Sequence, residues 1–416
     1  MSYTSILKKW IKNIGKNRLF FFISHLLYNL FLFIISIIAA KISGPKEWGI
    51  ITLLLLLSTY SSLFTLGINN GLGIKLPLVL GQKKYLNALE IQSIGFTTLF
   101  LTLLPIGFAQ FIFTYFWNKP ISIWLILFSY TFSFQILTYL KVQLRSYEYF
   151  GLFSVAYIFQ TLSISIGILG LIKGYHYLII TSIGNLIASL FIWIKLPEKP
   201  SIKFNLKSTI VLIKIGFPIM MAGIVGELLL SVDRILISIV FDDIQLGYYG
   251  FSANLFKGIR VIGIAISMLI LPLIVKSYAI KEYSNMLKYA KIQQWYSFIL
   301  MASASLIIGI LSYNLIPDFF PEYKNSIFSN FILMGVASLL PFSFYPNILN
   351  TIGQQKIYLL AQTIAIGLNI LISLAFVYGG LQINSIALAS LISIVSYILI
   401  IRYLGKKAFN QIIINK

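Results

Sequence analysis

The chain contains no cysteine, which excludes disulfides, a thiolate metal site and a thiol nucleophile. Only two histidines occur, His25 and His176, far apart in sequence. No metal centre and no cofactor is expected from so few ligands. Charge is scarce as well. Charged residues make up 10% of the sequence, where a soluble domain carries about 25%. A chain of 416 residues cannot cover its surface for water with so few, so much of that surface must face lipid. There is no G-x-x-x-x-G-K-S/T phosphate loop, so the chain is not read as hydrolysing ATP by itself.

What the sequence does have is apolar length, with 58% of its residues hydrophobic. A helix needs about twenty mostly apolar residues to cross the hydrocarbon. Stretches of that length fall near 19–40, 47–70, 91–115, 120–139, 151–172 and 175–194. A second set falls near 210–240, 248–275, 292–313, 327–349, 357–378 and 382–403. Turn residues mark the breaks, among them Gly44-Pro45, Lys119-Pro120, Asp242-Asp243 and Gly379-Gly380. The breaks are too short for a globular domain. The expected fold is an all-α polytopic membrane protein of about twelve transmembrane helices.

Basic residues are retained on the cytoplasmic side. With the N-terminus inside, twenty-four of the thirty-two fall on inner segments, Lys141 and Arg145 being counted with the third of these. Outer loops hold only Lys41, Lys46, Lys119, Lys173 and Lys324, and three remain inside spans. This bias predicts two cytoplasmic termini, and it accounts for the net charge of +21 through topology and anionic lipid rather than nucleic acid. In residues 1–18, Ile6, Leu7, Trp10, Ile11 and Ile14 recur at helical spacing between lysines. They read either as a short amphipathic helix on the inner leaflet or as a frayed basic tail. The first span is too long for a signal-peptide core and is read as retained.

The most polar stretch, with Pro197 and Pro200, separates two sets of six spans. It defines an N-terminal bundle at 1–195, a cytoplasmic linker at 196–208 and a C-terminal bundle with a basic tail at 209–416. The halves resemble each other. Gly49 precedes a span leading to Leu76-Pro77-Leu78, and Gly247 precedes one leading to Leu271-Pro272-Leu273, with Gly-to-Pro separations of 28 and 25 residues. Because six is even, both halves start inside, as parallel internal repeats do. Two pseudo-symmetric six-helix bundles around a central cavity are transporter architecture.

Several stretches carry a family resemblance. They are Ile42-Ser43-Gly44-Pro45-Lys46-Glu47-Trp48-Gly49, Lys214-Ile215-Gly216-Phe217-Pro218, Val232-Asp233-Arg234 followed by Gly247-Tyr248, and Gly353 followed by Asn369. On these the chain resembles the Wzx-type polysaccharide (O-antigen) flippases of the multidrug/oligosaccharidyl-lipid/polysaccharide exporter superfamily. The resemblance implies cargo in the form of an undecaprenyl-pyrophosphate-linked oligosaccharide, moved across the bacterial cytoplasmic membrane for O-antigen, capsule or exopolysaccharide synthesis. It also implies contact with membrane lipids and with other polysaccharide-assembly membrane proteins, and no nucleic-acid partner.

Five ionisable residues lie inside spans seven and eight: Glu227, Asp233, Arg234, Lys257 and Arg260. A charge in the hydrocarbon is costly, so each must face a cavity or a partner. On an unbroken helix Gly223, Glu227, Ser231 and Arg234 form one stripe, and Asn254, Lys257 and Arg260 form another. Ion pairs such as Asp233 with Lys257, or Glu227 with Arg260, are one explanation. They leave one cation in excess, which suits an anionic ligand, and guanidinium grips a pyrophosphate with two prongs. Arg260, Lys257, Arg234 and Asn254 are therefore the candidate substrate-binding residues, with Glu227 and Asp233 candidates for proton coupling or ion pairing. His25 and Asn29, one turn apart in the first span, join that second group; Asn29 falls at the repeat position of Glu227. An interhelical hydrogen bond is the simpler account of His25.

Two other classes compete. One is an ion-coupled multidrug exporter of the same fold, and the other a membrane polysaccharide polymerase. The short outer loops speak against the enzyme, whose paired carboxylates would sit on a long external loop. The net cationic cluster suits an anionic headgroup better than a cationic drug.

Overall fold

The computed structural model describes residues 16–171, 176–196 and 198–414, and residues 1–15 of the expected amphipathic segment lie outside it. Among the described residues the regular structure is helical throughout. The helices are α1 (Lys16–Ser61), α2 (Ile68–Gly81), α3 (Tyr85–Phe116), α4 (Ile121–Ser146), α5 (Phe150–Leu171), α6 (His176–Lys195) and α7 (Leu206–Leu229). They continue with α8 (Val232–Val240), α9 (Asp243–Ala279), α10 (Tyr283–Phe319), α11 (Ile327–Leu339), α12 (Tyr345–Thr351), α13 (Gln355–Tyr378) and α14 (Asn384–Ile414).

Ten of these stretches are long and apolar enough to cross a membrane. Each of the twelve expected spans nonetheless falls mainly on helix among the described residues. The first two are merged in α1 across Gly44, whose φ of 70° and ψ of 169° break the helix. Pro45 follows as the first residue of the next helical run, where its missing N–H costs nothing. The fifth span counts as short because its described apolar stretch is Phe150–Leu162. Between α3 and α4, Asn118 takes the left-handed conformation, with φ of 52°, and Pro120 stands just ahead of α4. The turn residues thus act as the breaks they were read to be.

By contacts the chain groups into two compact units, one of residues up to Ile35 with Leu54–Met221, the other of Ser36–Leu53 with Ala222–Lys416. In the first unit, Leu72, Leu76, Tyr139, Leu144 and Ile192 form the core. Residues 198–209 lie along α3, held by Gln92 Nε2 donating to the Glu198 carbonyl at 3.0 Å. Further along, Ser201 N donates to Ser93 Oγ at 3.0 Å and Lys203 N to Thr97 Oγ1 at 2.9 Å. This polar stretch finds partners for its backbone N–H groups in the hydroxyls of α3.

In the second unit the middle of α1 crosses α9 at two glycines. A Cβ on Gly49 would stand 2.0 Å from the Asp243 carbonyl oxygen, and one on Gly247 1.8 Å from that of Pro45. These are the two positions that the internal repeat matches, and they meet face to face. Backbone cannot yield as a side chain can, so overpacking here exceeds the usual cost of about 1–3 kcal/mol. Gly247→Ala is expected to lower the thermal unfolding midpoint in detergent well below that of the parent, whereas Gly335→Ala, with open space around it, should leave it unchanged.

Candidate functional site

Span seven is not one helix. α7 ends at Leu229 and α8 begins at Val232, with Ser231 at φ −148° between them. The expected continuous stripe through Glu227, Ser231 and Arg234 is therefore interrupted. Side chains take up the polar groups freed by the break. Ser231 Oγ donates to the Glu227 carbonyl at 2.6 Å, and Arg234 Nη2 to the Leu230 carbonyl at 3.1 Å. Broken backbone at membrane depth is tolerated only where such partners exist.

Asp233 and Arg234 are both buried and brace this break. Asp233 Oδ1 accepts from Arg234 N at 2.7 Å. Asp233 Oδ2 accepts from Tyr249 Oη at 2.5 Å, on α9, and from Ser390 Oγ at 3.2 Å, on α14. The carboxylate ties three helices together, and the alternative in which it pairs with Lys257 is not the arrangement found. Sequence spacing could not foresee this, because Tyr249 lies across the turn into α9 and Ser390 lies 157 residues along the chain.

Glu227 and Arg260 do pair, Oε1 to Nη2 at 3.0 Å, with side chains 44% and 19% exposed. Arg260 also lies over the Phe256 ring at 5.9 Å. Lys257, one turn away, is within electrostatic reach of both carboxylates and both guanidiniums, yet makes no direct ion pair among the described residues. It is the excess cation. Asn254 Nδ2 donates to Ser36 Oγ at 2.7 Å. The four candidate binding residues thus share one unit. Arg260 and Lys257 are the two with a charge to offer a ligand, Arg234 being turned to the carbonyl at the break and Asn254 being uncharged and bonded to Ser36 of α1.

The first unit holds a second polar group. His25 Nδ1 lies 3.0 Å from Tyr157 Oη, and Asn29 Nδ2 donates to the His25 carbonyl at 2.7 Å. The interhelical hydrogen bond read for His25 is made. Beside it sits a residue that the sequence reading misplaced. Lys141, counted with an inner loop, lies inside α4, which runs on to Ser146. Its Nζ donates to Gln160 Oε1 at 3.1 Å and lies over the rings of Tyr157 and Tyr28, at 4.3 and 5.3 Å. No carboxylate pairs with it among the described residues. Gln160 in turn donates to Asn185 Oδ1 at 2.5 Å. Tyr28, Tyr157, Gln160 and Asn185, all polar-tipped inside spans, were the signal that α4 borders a polar interior. Moving Lys141 off the inner tally leaves the basic bias intact.

Solved structures share the fold. An inward-facing multidrug-resistance MATE transporter of the MOP superfamily aligns at a TM-score of 0.76, with 12% identity, over 92% of this chain and 95% of its own. A Vibrio cholerae MATE transporter mutant aligns at 0.67 with 13% identity, over 98% of each chain. A MOP superfamily transporter from Pyrococcus furiosus, described as having a binding pocket of reverse polarity, aligns at 0.58 with 14% identity, over 97% and 96%. At these identities the likeness establishes the fold alone. No curated protein matches the sequence. The sequence model of the family described as polysaccharide biosynthesis protein matches residues 37–320, most of the chain. The chain, with its ten helices long and apolar enough to cross a membrane among the described residues, accordingly belongs to the polysaccharide biosynthesis protein family.

Proposed function

We propose that this transporter is a flippase for a polyprenyl-pyrophosphate-linked oligosaccharide, carried by alternating access across the bacterial cytoplasmic membrane between bundles at 1–195 and 209–416. The observation that carries the proposal is the uncompensated Lys257 beside an Arg260 held only by a half-exposed carboxylate. A pyrophosphate fits that arrangement. It displaces Glu227 from the guanidinium, takes both prongs, and gives Lys257 the counter-charge that the protein withholds. Lys141 offers a second uncompensated cation in the other unit. Glu227 holds Arg260 in place while the site is empty, and its release on binding gives it a proton-coupling role. The pocket polarity reported for the Pyrococcus furiosus transporter was taken to suggest a different function for that protein. Polarity separates the two readings here too, since a multidrug exporter for cations has no use for the excess positive charge.

The test is reconstitution. In vesicles loaded on one leaflet with polyprenyl-pyrophosphate-linked oligosaccharide, the purified protein should expose the sugar to an impermeant oxidant on the other side. Translocation of a cationic dye with none of the lipid-linked sugar would instead establish the drug exporter. The orientation has its own check, aided by the lack of native cysteine. A cysteine at exposed Asn325 should react with an impermeant maleimide on intact cells, and one at Ile202, 85% exposed, only after lysis. The opposite pattern inverts the topology.

A further inference from the structure

The second unit contains a cavity of about 410 Å3 that opens directly from Arg260. Its volume falls in the range of about 300–1,000 Å3 typical of small-molecule sites. Gly263 and Ser267 of α9 continue its wall below Arg260, Gln294 and Ser297 face them from α10, and Asn347 closes it from α12. We propose that this cavity is a sugar subsite, which takes the uncharged, hydroxyl- or acetamido-bearing pyranose joined directly to the pyrophosphate. The inference rests on the headgroup assignment above and adds to it the residues that choose the cargo.

Gln294 and Ser297 carry the argument. They stand three residues apart on one face of α10, 5% and 4% exposed, while Trp295, Tyr296 and Ile299 on the other faces are open to the surroundings. Both line the cavity, and neither side chain has a hydrogen-bond partner among the described residues. Their polar atoms are not among the sealed-in groups that lack a partner and reach the cavity instead, although a hydroxyl in a helix ordinarily bonds back to its own turn. These two are kept free and turned inward.

The third wall is built to hold still. Asn347 Nδ2 donates to Ser267 Oγ and to Gln293 Oε1, each at 3.0 Å. This pins α12 to α9 and α10 next to Pro346, which stands in the first turn of α12. An amide presents donor and acceptor side by side, which matches the paired hydroxyls of a pyranose. Phe344 supplies an apolar wall for the sugar's C–H face. Arg260 is the sole ionisable group in the lining, so the occupant's own charge is confined to the end at the guanidinium. An acyl chain does not fit, since it would leave the Gln294 amide and the Ser297 hydroxyl without a partner. The first sugar is covalently attached to the pyrophosphate, so a headgroup on Arg260 places that ring at the cavity mouth.

The experiment compares binding of bare undecaprenyl pyrophosphate with that of a panel in which the pyrophosphate bears one hexose, one N-acetylhexosamine or one uronic acid, using the full-length protein in nanodiscs. At least one uncharged sugar should bind about tenfold more tightly than the bare lipid. Ser297→Ala should remove about three- to tenfold of that advantage, the equivalent of one hydrogen bond. Gln294→Leu should remove most of the rest. Neither should alter affinity for the bare lipid. Should Gln294→Leu fail to fold, Ser297→Ala, which deletes a single oxygen, carries the test alone. Equal affinity for bare and sugar-bearing lipids, a preference for the uronic acid alone, or variants that weaken both classes equally would overturn the subsite and leave the headgroup assignment standing. No binding of any pyrophosphate lipid overturns both.

Discussion

Replacing Arg260 with lysine is expected to cut flipping of the lipid-linked oligosaccharide by tenfold or more while expression and thermal stability stay near those of the parent. Lysine keeps the charge and can still reach Glu227, which Arg260 meets through one nitrogen at 3.0 Å. It cannot offer a phosphate two parallel N–H groups. Arg260→Gln is expected to abolish binding, but on its own it confounds two effects, because it also strands Glu227. Breaking a fully buried pair costs about 3–5 kcal/mol. With the Glu227 side chain 44% exposed, the cost here is nearer the ~1 kcal/mol of a surface pair. The double variant Glu227→Gln/Arg260→Gln separates the effects, since it removes the stranded charge and restores the fold. If Arg260 only pins α7 to α9, the double variant should bind bare pyrophosphate lipid like the parent. If Arg260 grips pyrophosphate, it should fold and yet fail to bind that lipid. Glu227→Gln alone frees the guanidinium and should bind bare pyrophosphate lipid at least as tightly as the parent. Equal flipping by parent and double variant refutes the role.

The fold was legible because the bilayer imposes it. A backbone in hydrocarbon must satisfy its own hydrogen bonds, so twenty apolar residues between turn signals leave helix as the one solution. Gly44-Pro45, Lys119-Pro120 and Gly379-Gly380 were enough to mark where those helices end. The site was legible only as far as local chain geometry determines it. Glu227 with Arg260 lay within reach of helical-stripe reasoning, since both sit on adjacent antiparallel spans. The brace around Asp233 did not, because its partners Tyr249 and Ser390 are set by the packing of α9 and α14 on α8. The break at Ser231 was hidden for a related reason. No proline or glycine marks it, and the side chains of Ser231 and Arg234 satisfy it. Lys141 was misplaced because a lysine near a span's end reads as the start of a loop. Its true surroundings, rings from α1 and α5, are contacts that no spacing records.

Lys141→Met is expected to separate stability from activity, raising the first and lowering the second. An ammonium inside α4 without a carboxylate partner is costly. A charge at the bilayer centre costs about 2.5–3.5 kcal/mol on an insertion scale, and the tyrosine faces return roughly 0.5–2 kcal/mol as cation–π contact. Lys141 lies some five residues from the end of α4, short of the centre, so the net penalty is about 1 kcal/mol. Methionine fills the same length with an apolar chain and removes that penalty, so the thermal midpoint should rise by a few degrees. A merely structural lysine would show the reverse, because losing its bond to Gln160 and its place over Tyr157 would loosen the packing of α4 on α5. For transport, the same substitution deletes the first unit's uncompensated positive charge and should lower the flipping rate by about tenfold, the worth of one charge-assisted contact. Lys141→Arg keeps that charge and should retain most of the rate. Lys141→Gln, polar but neutral, should behave like Lys141→Met in transport. Full activity in both neutral variants would remove Lys141 from the translocation pathway and leave Lys257 and Arg260 as the proposed anion site.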